Sequence, residues 1–307
     1  MDHAAFITGG TGLIGSYLIR LLQKKHFTLY VITRKESNLE RLRGVDCQLE
    51  IIRGELSEQK KYEVALQESD VVFHLAAQIN VDIATKDPIS TKHANLDMTL
   101  SLLETIRKVG KKPKLVYMSS TNIYGNPEYL PIDEKHPIKP LEPYSASKAG
   151  AEMFCQAYSS SYGFDYASIR SPNVYGPSQA ETQIIPKIVG KCLRGEKILF
   201  ANKDVQRDFI HAYDAAEALF LAFEKGSGPY NIGSRESIWV NDLVRMIIDE
   251  IDPEYSNIDF IETIRRADIE RVTLNSERAR NELGWKQRYS LKEGILEVIN
   301  HQKGLMR

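Results

Sequence analysis

Long apolar runs are missing from this 307-residue sequence. None approaches the ~18 residues of a membrane span, so a transmembrane protein is not expected. Cysteine is scarce. Cys47, Cys155 and Cys192 lie far apart and form no Cys-x-x-Cys spacing. This excludes a disulfide or zinc framework, fits a reducing cytoplasm, and leaves the thiols a packing role. Neither charge sign is in surplus: the formal net charge is −1, and basic residues fall in short pairs such as Lys24-Lys25 and Lys111-Lys112. Such pairs read as solvated surface, not as a nucleic-acid face. A leader peptide is not expected, because β-rich sequence begins almost at once. Low-complexity tracts and repeats of roughly 20–50 residues are absent as well.

What is present is a pattern. Ala4–Thr8, Leu29–Thr33, Leu49–Arg53, Val71–Leu75, Leu115–Ser119 and Tyr166–Ile169 are short, β-rich apolar runs. Leu13–Lys25, Glu58–Glu68, Pro88–Val109 and Pro143–Tyr162 between them have helical character. Buried strands separated by helices predict a parallel sheet covered on both faces, and right-handed crossovers make it a doubly wound α/β fold of Rossmann type. After about Ser171 the alternation stops and Gly and Pro punctuate helix-rich sequence. The expected organisation is a first domain over 1–170 and a smaller, helix-rich substrate domain over 171–307, with segments near 208–235 returning to the first.

Thr8-Gly9-Gly10-Thr11-Gly12-Leu13-Ile14-Gly15 lies between the first strand and the first helix. Glycines at 9, 12 and 15 permit a tight turn, close approach of a pyrophosphate, and packing of helix on strand. The helix N-terminus adds free N–H groups and a positive dipole. This predicts a bound dinucleotide, NAD or NADP. At the end of the second strand, Ile32-Thr33-Arg34 offers no acid for a ribose 2′-hydroxyl. Arg34 with Lys35 instead suits a 2′-phosphate, which favours NADP. Glu55, after the third strand, is placed to accept from the adenine amino group.

Tyr144-Ser145-Ala146-Ser147-Lys148 puts a phenol and an ammonium on one helix face. A phenol near pKa ~10 is a poor base at neutral pH, and a nearby ammonium is expected to lower it. Tyr144 would then take a proton from a sugar hydroxyl while hydride leaves the same carbon. Lys148 also suits the nicotinamide ribose. Ser120, in Ser119-Ser120-Thr121 at the end of the fifth strand, is expected to orient the reacting oxygen. Ser-His-Asp, metal-ligand and P-loop arrangements are all lacking, and no metal is expected. His74, in an apolar strand, reads as a satisfied core residue.

Taken together, these motifs resemble the extended short-chain dehydrogenase/reductase family, in its nucleotide-sugar epimerase/dehydratase group. The resemblance includes His74-Leu75-Ala76-Ala77, Asn95, Ser119–Gly125, Asn173-Val174-Tyr175-Gly176-Pro177, Gln206-Arg207-Asp208-Phe209-Ile210-His211, Asp214 and Leu283-Gly284-Trp285. It implies that Leu56, Leu75, Ala76, Ala77 and Asn95 join the glycine turn in holding the cofactor. It also implies that Asn173, Arg207 and Arg265 hold the diphosphate of a nucleotide sugar and that Phe200 packs on its base. A homodimer through helices near 88–109 and 143–162 is implied as well.

The chain departs from the family's 4,6-dehydratases, which carry Asp-Glu directly after the catalytic hydroxyl residue, because it has Thr121-Asn122 there. Neither is an effective acid or base, so dehydration is disfavoured. Asn122 also stands where the related decarboxylases carry Glu and the GDP-fucose synthase type carries Cys. Two reactions remain: 4-epimerisation of an NDP-hexose, which is preferred, and NADPH-dependent reduction of an NDP-4-keto sugar. A non-catalytic dinucleotide sensor would have no use for Tyr144, Lys148 and Ser120 together.

Overall fold

The computed structural model describes residues 3–45, 48–201, 205–261 and 269–306, except the side chains of residues 200, 201, 260 and 261. The first half alternates: β1 (Ala4–Thr8), α1 (Leu13–Gln23), β2 (Thr28–Thr33), β3 (Leu49–Arg53), α2 (Glu63–Glu68), β4 (Val71–His74), α3 (Val81–Lys86), α4 (Pro88–Lys92), α5 (Met98–Lys108), β5 (Lys114–Ser120), α6 (Pro143–Tyr162) and β6 (Tyr166–Ser171). Then follow β7 (Asn173–Tyr175), α7 (Ile184–Leu193), β8 (Ile198–Ala201), β9 (Gln206–His211), α8 (Ala212–Lys225), β10 (Gly228–Asn231), β11 (Ser237–Trp239), α9 (Val240–Ile251), β12 (Ile258–Ile261) and α10 (Leu291–Leu305).

Seven strands form one parallel sheet in the order β10-β6-β5-β4-β1-β2-β3. The expected doubly wound fold is present. Strand order reverses between β1 and β4, where such sheets open a crevice at the carboxyl ends of their strands. Side chains alternate across the sheet, so each face has its own core. Ala5, Ile7, Val71, Phe73, Val116 and Met118 pack with α1 and α8. Phe6, Val72, Leu115 and Tyr117 pack with α5 and α6. That is why the strands read as continuous apolar runs rather than as alternation.

The six expected strands lie within one or two residues of β1–β6. Two expected helices differ. Glu58–Glu68 is a 3₁₀ turn at Gln59–Lys61 followed by α2. Pro88–Val109 is α4, a π-helical turn at His93–Asp97, and α5. The wide turn appears where Asn95 points inward, and hydrophobic periodicity carries no sign of such an inserted residue.

After β6 the chain builds a third core from α7, α9 and α10, with Ile188, Val189, Leu243, Ile247, Ile295 and Val298. β10 adds to the main sheet beside β6, and α8 packs on α1. β7 and β9 pair in parallel, while β11 runs antiparallel to β9. Among the described residues, no helix is long and apolar enough to cross a membrane.

Candidate active site

The glycine turn closes through its backbone. The Gly12 N–H donates to the Gly9 carbonyl at 3.0 Å, and Gly9 has φ +71°. A Cβ on Gly15 would stand 2.3 Å from the Gly9 carbonyl oxygen, and one on Gly9 would stand 2.7 Å from the Ala76 nitrogen. Gly12 caps α1 without a side-chain hydrogen bond, and the first turn holds no acid. The cradle therefore fits an anionic group that needs free N–H donors at a helix start. Thr11, Gly12, Leu13 and Ile14 are half-buried on one side, and Leu75, Ala76 and Ala77 on the other.

Arg41 had no signal in the sequence. Its guanidinium donates to the Thr11 carbonyl at 3.1 Å and to the Ser178 carbonyl at 2.6 and 3.0 Å. It thereby ties the glycine turn to the segment after β7. Arg34 and Glu55 are exposed at the ends of β2 and β3. Arg53 Nη1 donates to the carbonyls of Arg34, Lys35 and Ser37 at 3.0, 3.2 and 3.1 Å, shaping the loop that presents Arg34. The Glu55 N–H donates to Glu58, and the buried Leu56 offers its carbonyl to Tyr62 and Ser101.

A buried line of hydrogen bonds runs from this turn to α6. Thr8 Oγ1 accepts from the Leu75 and Ala76 N–H groups, so its own proton goes to His74 Nδ1 at 2.7 Å. His74 Nε2–H then donates to Thr99, which donates to the Asn95 carbonyl. Burial and the nearby Lys148 charge hold His74 neutral, with its pKa pulled down to about 3. His74 is the satisfied core residue the sequence implied. The Asn95 amide receives the Gln78 N–H at 2.7 Å and donates to the Gln78 carbonyl and Ser147 Oγ, both at 2.9 Å. Ser147 in turn donates to the Tyr144 carbonyl. Asn95 thus spends its polar atoms joining the segment after β4 to the helix that carries Tyr144.

That helix starts where it must. Glu142 caps it in a reciprocal box with Ser145, Pro143 occupies the first turn, and Gly163 closes it in the left-handed conformation. Tyr144 and Lys148 follow on one buried face. Ser120 ends β5, where its Oγ accepts from the Asn122 N–H at 3.2 Å and its hydroxyl favours the ionised form of the Tyr144 phenol.

The electrostatics correct one expectation. Burial pushes the Tyr144 phenol up to about 12, Ser120 works against this, and Glu142 adds to it. Burial also pulls Lys148 down to about 7, opposed by Cys155 and Glu152. Lys148 Nζ donates to the Met118 carbonyl at 2.6 Å and lies 4.2 Å from the centre of the Tyr117 ring. The ammonium is engaged with β5, and desolvation dominates the phenol. Sequence spacing showed the shared face but not the dryness of the surroundings.

On the C-terminal side, Asn173 is exposed at the start of β7 and donates to the Asp208 carbonyl at 3.2 Å. Arg207 is half-buried in β9, and its Nη1 donates to the carbonyls of Gln206 and Ile269. Arg265 and the side chain of Phe200 lie outside the described residues. Asp208 is fully buried, receives Ser234 and Leu274 N–H groups, and is pushed up to about 7 chiefly by desolvation. A cavity of about 750 Å³ between the β10–α9 and α10 segments is lined by none of the candidate residues. Among the described residues, no three His, Cys, Asp or Glu side chains are grouped to hold a metal.

The chain is similar to known proteins over nearly its whole length. Residues 6–298 match the family model described as GDP-mannose 4,6 dehydratase. A putative UDP-glucose 4-epimerase of Methanocaldococcus jannaschii is 32% identical over 303 residues, covering 97% of each chain. Two solved structures are similar over nearly their whole length. The Thermotoga maritima UDP-glucose 4-epimerase with UDP-glucose has a TM-score of 0.92 and 26% identity, covering 99% of this chain and 100% of the other. The Thermus thermophilus UDP-glucose 4-epimerase complex with NAD has a TM-score of 0.89 and 29% identity, covering 98% and 99%.

Proposed function

The chain belongs to the GDP-mannose 4,6-dehydratase family of extended short-chain dehydrogenase/reductases, and on that premise we propose that it is a nucleotide-sugar 4-epimerase. The observation that carries this reading is the Ser120–Tyr144 hydroxyl pair beside Lys148, followed by Thr121-Asn122 instead of carboxylates. Such a site can move one proton at one sugar oxygen, but it offers no acid–base pair to eliminate water from neighbouring carbons.

The glycine cradle fits a nicotinamide dinucleotide, which when bound supplies the hydride acceptor and, in its oxidised form, a positive charge. The Tyr144 oxygen takes the proton of the sugar 4-hydroxyl as C4 is oxidised to the ketone, and returns it when C4 is reduced on its other face. Ser120 holds that oxygen. Lys148 contributes its charge to the phenolate and its N–H donors to a ribose. In the assignment by halves, residues 1–170 with a return near 208–235 hold the cofactor and 171–307 hold the nucleotide sugar. Asn173, Phe200, Arg207 and Arg265 are then the residues assigned to the sugar nucleotide, two guanidiniums suiting a diphosphate.

A second reading, reduction of an NDP-4-keto sugar with NADPH, draws on the exposed Arg34 at the end of β2, which suits a 2′-phosphate. Ile89, Met153 and Phe154 are exposed on α4 and α6, and we assign them to contact with a second copy of the chain. The buried free thiols Cys155 and Cys192 suit a reducing cytoplasm. The decisive assay offers UDP-, dTDP-, GDP- and CDP-hexoses to protein as purified. Interconversion of 4-epimers with no added cofactor is the expected result. Turnover that requires stoichiometric NADPH and a 4-keto sugar replaces it with the reductase reading.

A further inference from the structure

Beneath the Tyr144–Lys148 face lies an ion pair that the reaction above does not use. Glu152 sits one helical turn beyond Lys148 on α6, and Arg170 reaches it from β6. Their side chains are only 4% and 6% exposed. Glu152 Oε1 accepts from Arg170 Nε at 2.9 Å, Arg170 Nη2 at 2.6 Å and Ser168 Oγ at 3.1 Å. Oε2 accepts from Ser119 Oγ, the neighbour of Ser120. Arg170 Nη1 donates to the Tyr124 hydroxyl at 2.7 Å, which donates to Asn231 Oδ1 at 2.7 Å. Asn231 Nδ2 is anchored on the Ile132 carbonyl at 3.0 Å. The pair thus binds the end of β5, the turn that follows it, α6, β6 and β10 at one point.

Stability alone does not account for such a pair. Well-packed apolar residues in place of a buried ion pair are often neutral or stabilising, whereas removing one partner alone is strongly destabilising. Its location is more informative. Lys148 is surrounded by Tyr117 of β5, His74 of β4 and Cys155 of its own helix, all neutral by burial. Glu152 is the carboxylate that supports its charge.

We propose that Glu152, gripped by the Arg170 fork, is a positioning residue that holds Lys148 and the Ser119-Ser120 strand end in register with Tyr144. This rests on the reading of Ser120, Tyr144 and Lys148 as the reacting group. The sequence carried the signal as Lys148-x-x-x-Glu152, a second i, i+4 step down the same helix face.

The test uses dinucleotide-loaded protein and three changes. Glu152→Gln with Arg170→Met removes both charges together, while the amide oxygen can still accept from Ser119 and the amide NH2 can donate to Ser168 Oγ. That double variant is expected to melt near the parent, to turn over about tenfold more slowly at pH 7, and to show an alkaline limb moved down by about one pH unit. KM for the nucleotide sugar should stay unmoved. Glu152→Asp keeps the charge but withdraws the carboxylate from Ser119. It is expected to lower kcat about threefold, less than the double variant, with KM and the alkaline limb unmoved. A Glu152→Asp protein with parental kcat overturns the proposal whether or not the double variant folds, as does a double variant with parental rate and pH profile. Tyr144→Phe in the same assay separates the two readings. Full turnover by Tyr144→Phe removes the reacting group itself. An inactive Tyr144→Phe beside parental Glu152 variants removes only the positioning role.

Discussion

The glycine turn and the start of α6, joined by one buried line of hydrogen bonds, are built of opposite materials. The turn is backbone: three glycines, N–H groups at a helix start, and neighbours so close that a methyl group at Gly15 meets the Gly9 carbonyl at 2.3 Å. The start of α6 is buried polar side chains: Tyr144 pushed up to about 12, Lys148 pulled down to about 7, and an ion pair one turn below. The first region is limited by volume and the second by the cost of desolvating charge. Substitutions should therefore fail differently in the two places.

Tyr144→Phe should show the contrast most strongly. Turnover is expected to fall about 10²–10⁴-fold while dinucleotide affinity and melting temperature stay close to the parent, measured by epimer interconversion, cofactor titration and calorimetry. Gly15→Ala should do the reverse. Overpacking against fixed backbone costs roughly 1–3 kcal/mol or more, so both melting temperature and retained dinucleotide should drop. A protein that kept both would show that the turn relaxes more than its geometry suggests.

Lys148→Met sharpens the comparison, because the second region should gain stability as it loses activity. Folding takes the Lys148 pKa from its ordinary 10.5 to about 7. Between those values the unfolded chain binds more protons, so parental stability rises with pH across that window. Below about pH 7 both states are charged and the whole burial penalty is present. Lys148→Met should thus raise the melting temperature most at or below pH 7, with the gain shrinking toward pH 10, and should be nearly inactive. A gain independent of pH would assign the effect to packing.

The smallest effect is expected at Arg34, which is exposed and loop-borne. Arg34→Ser should weaken NADP about tenfold relative to NAD, by loss of one charge-assisted contact. An unchanged ratio in nucleotide titration would leave the 2′-phosphate without its proposed partner.

How well each region could be read in advance follows the same division. The turn was legible because its demands are local: glycine at fixed offsets between a strand and a helix. Tyr144, Lys148 and Ser120 were legible as residues, since i, i+4 spacing and a strand end place them. Their ionisation was not, because it depends on how much of β4, β5 and α6 closes over them. Asn95 was recognisable by resemblance, but its hydrogen-bond partners were not. A π-helical turn rotates it toward Gln78 and Ser147, and nothing in the hydrophobic pattern marks that turn. Arg41 and Ser178 are 137 residues apart and meet only because the fold brings them together.

By itself, the sequence determined the parallel sheet, the glycine cradle, the hydroxyl–phenol–ammonium set, and the lack of carboxylates at positions 121 and 122. Each of these follows from residue type at short range, where covalent geometry and side-chain periodicity already restrict the answer. The tertiary structure decided which charges are dry, which polar atoms are occupied, and which residues from distant segments close the crevice. Desolvation and hydrogen-bond satisfaction are properties of everything packed around a group, and no window of sequence contains them.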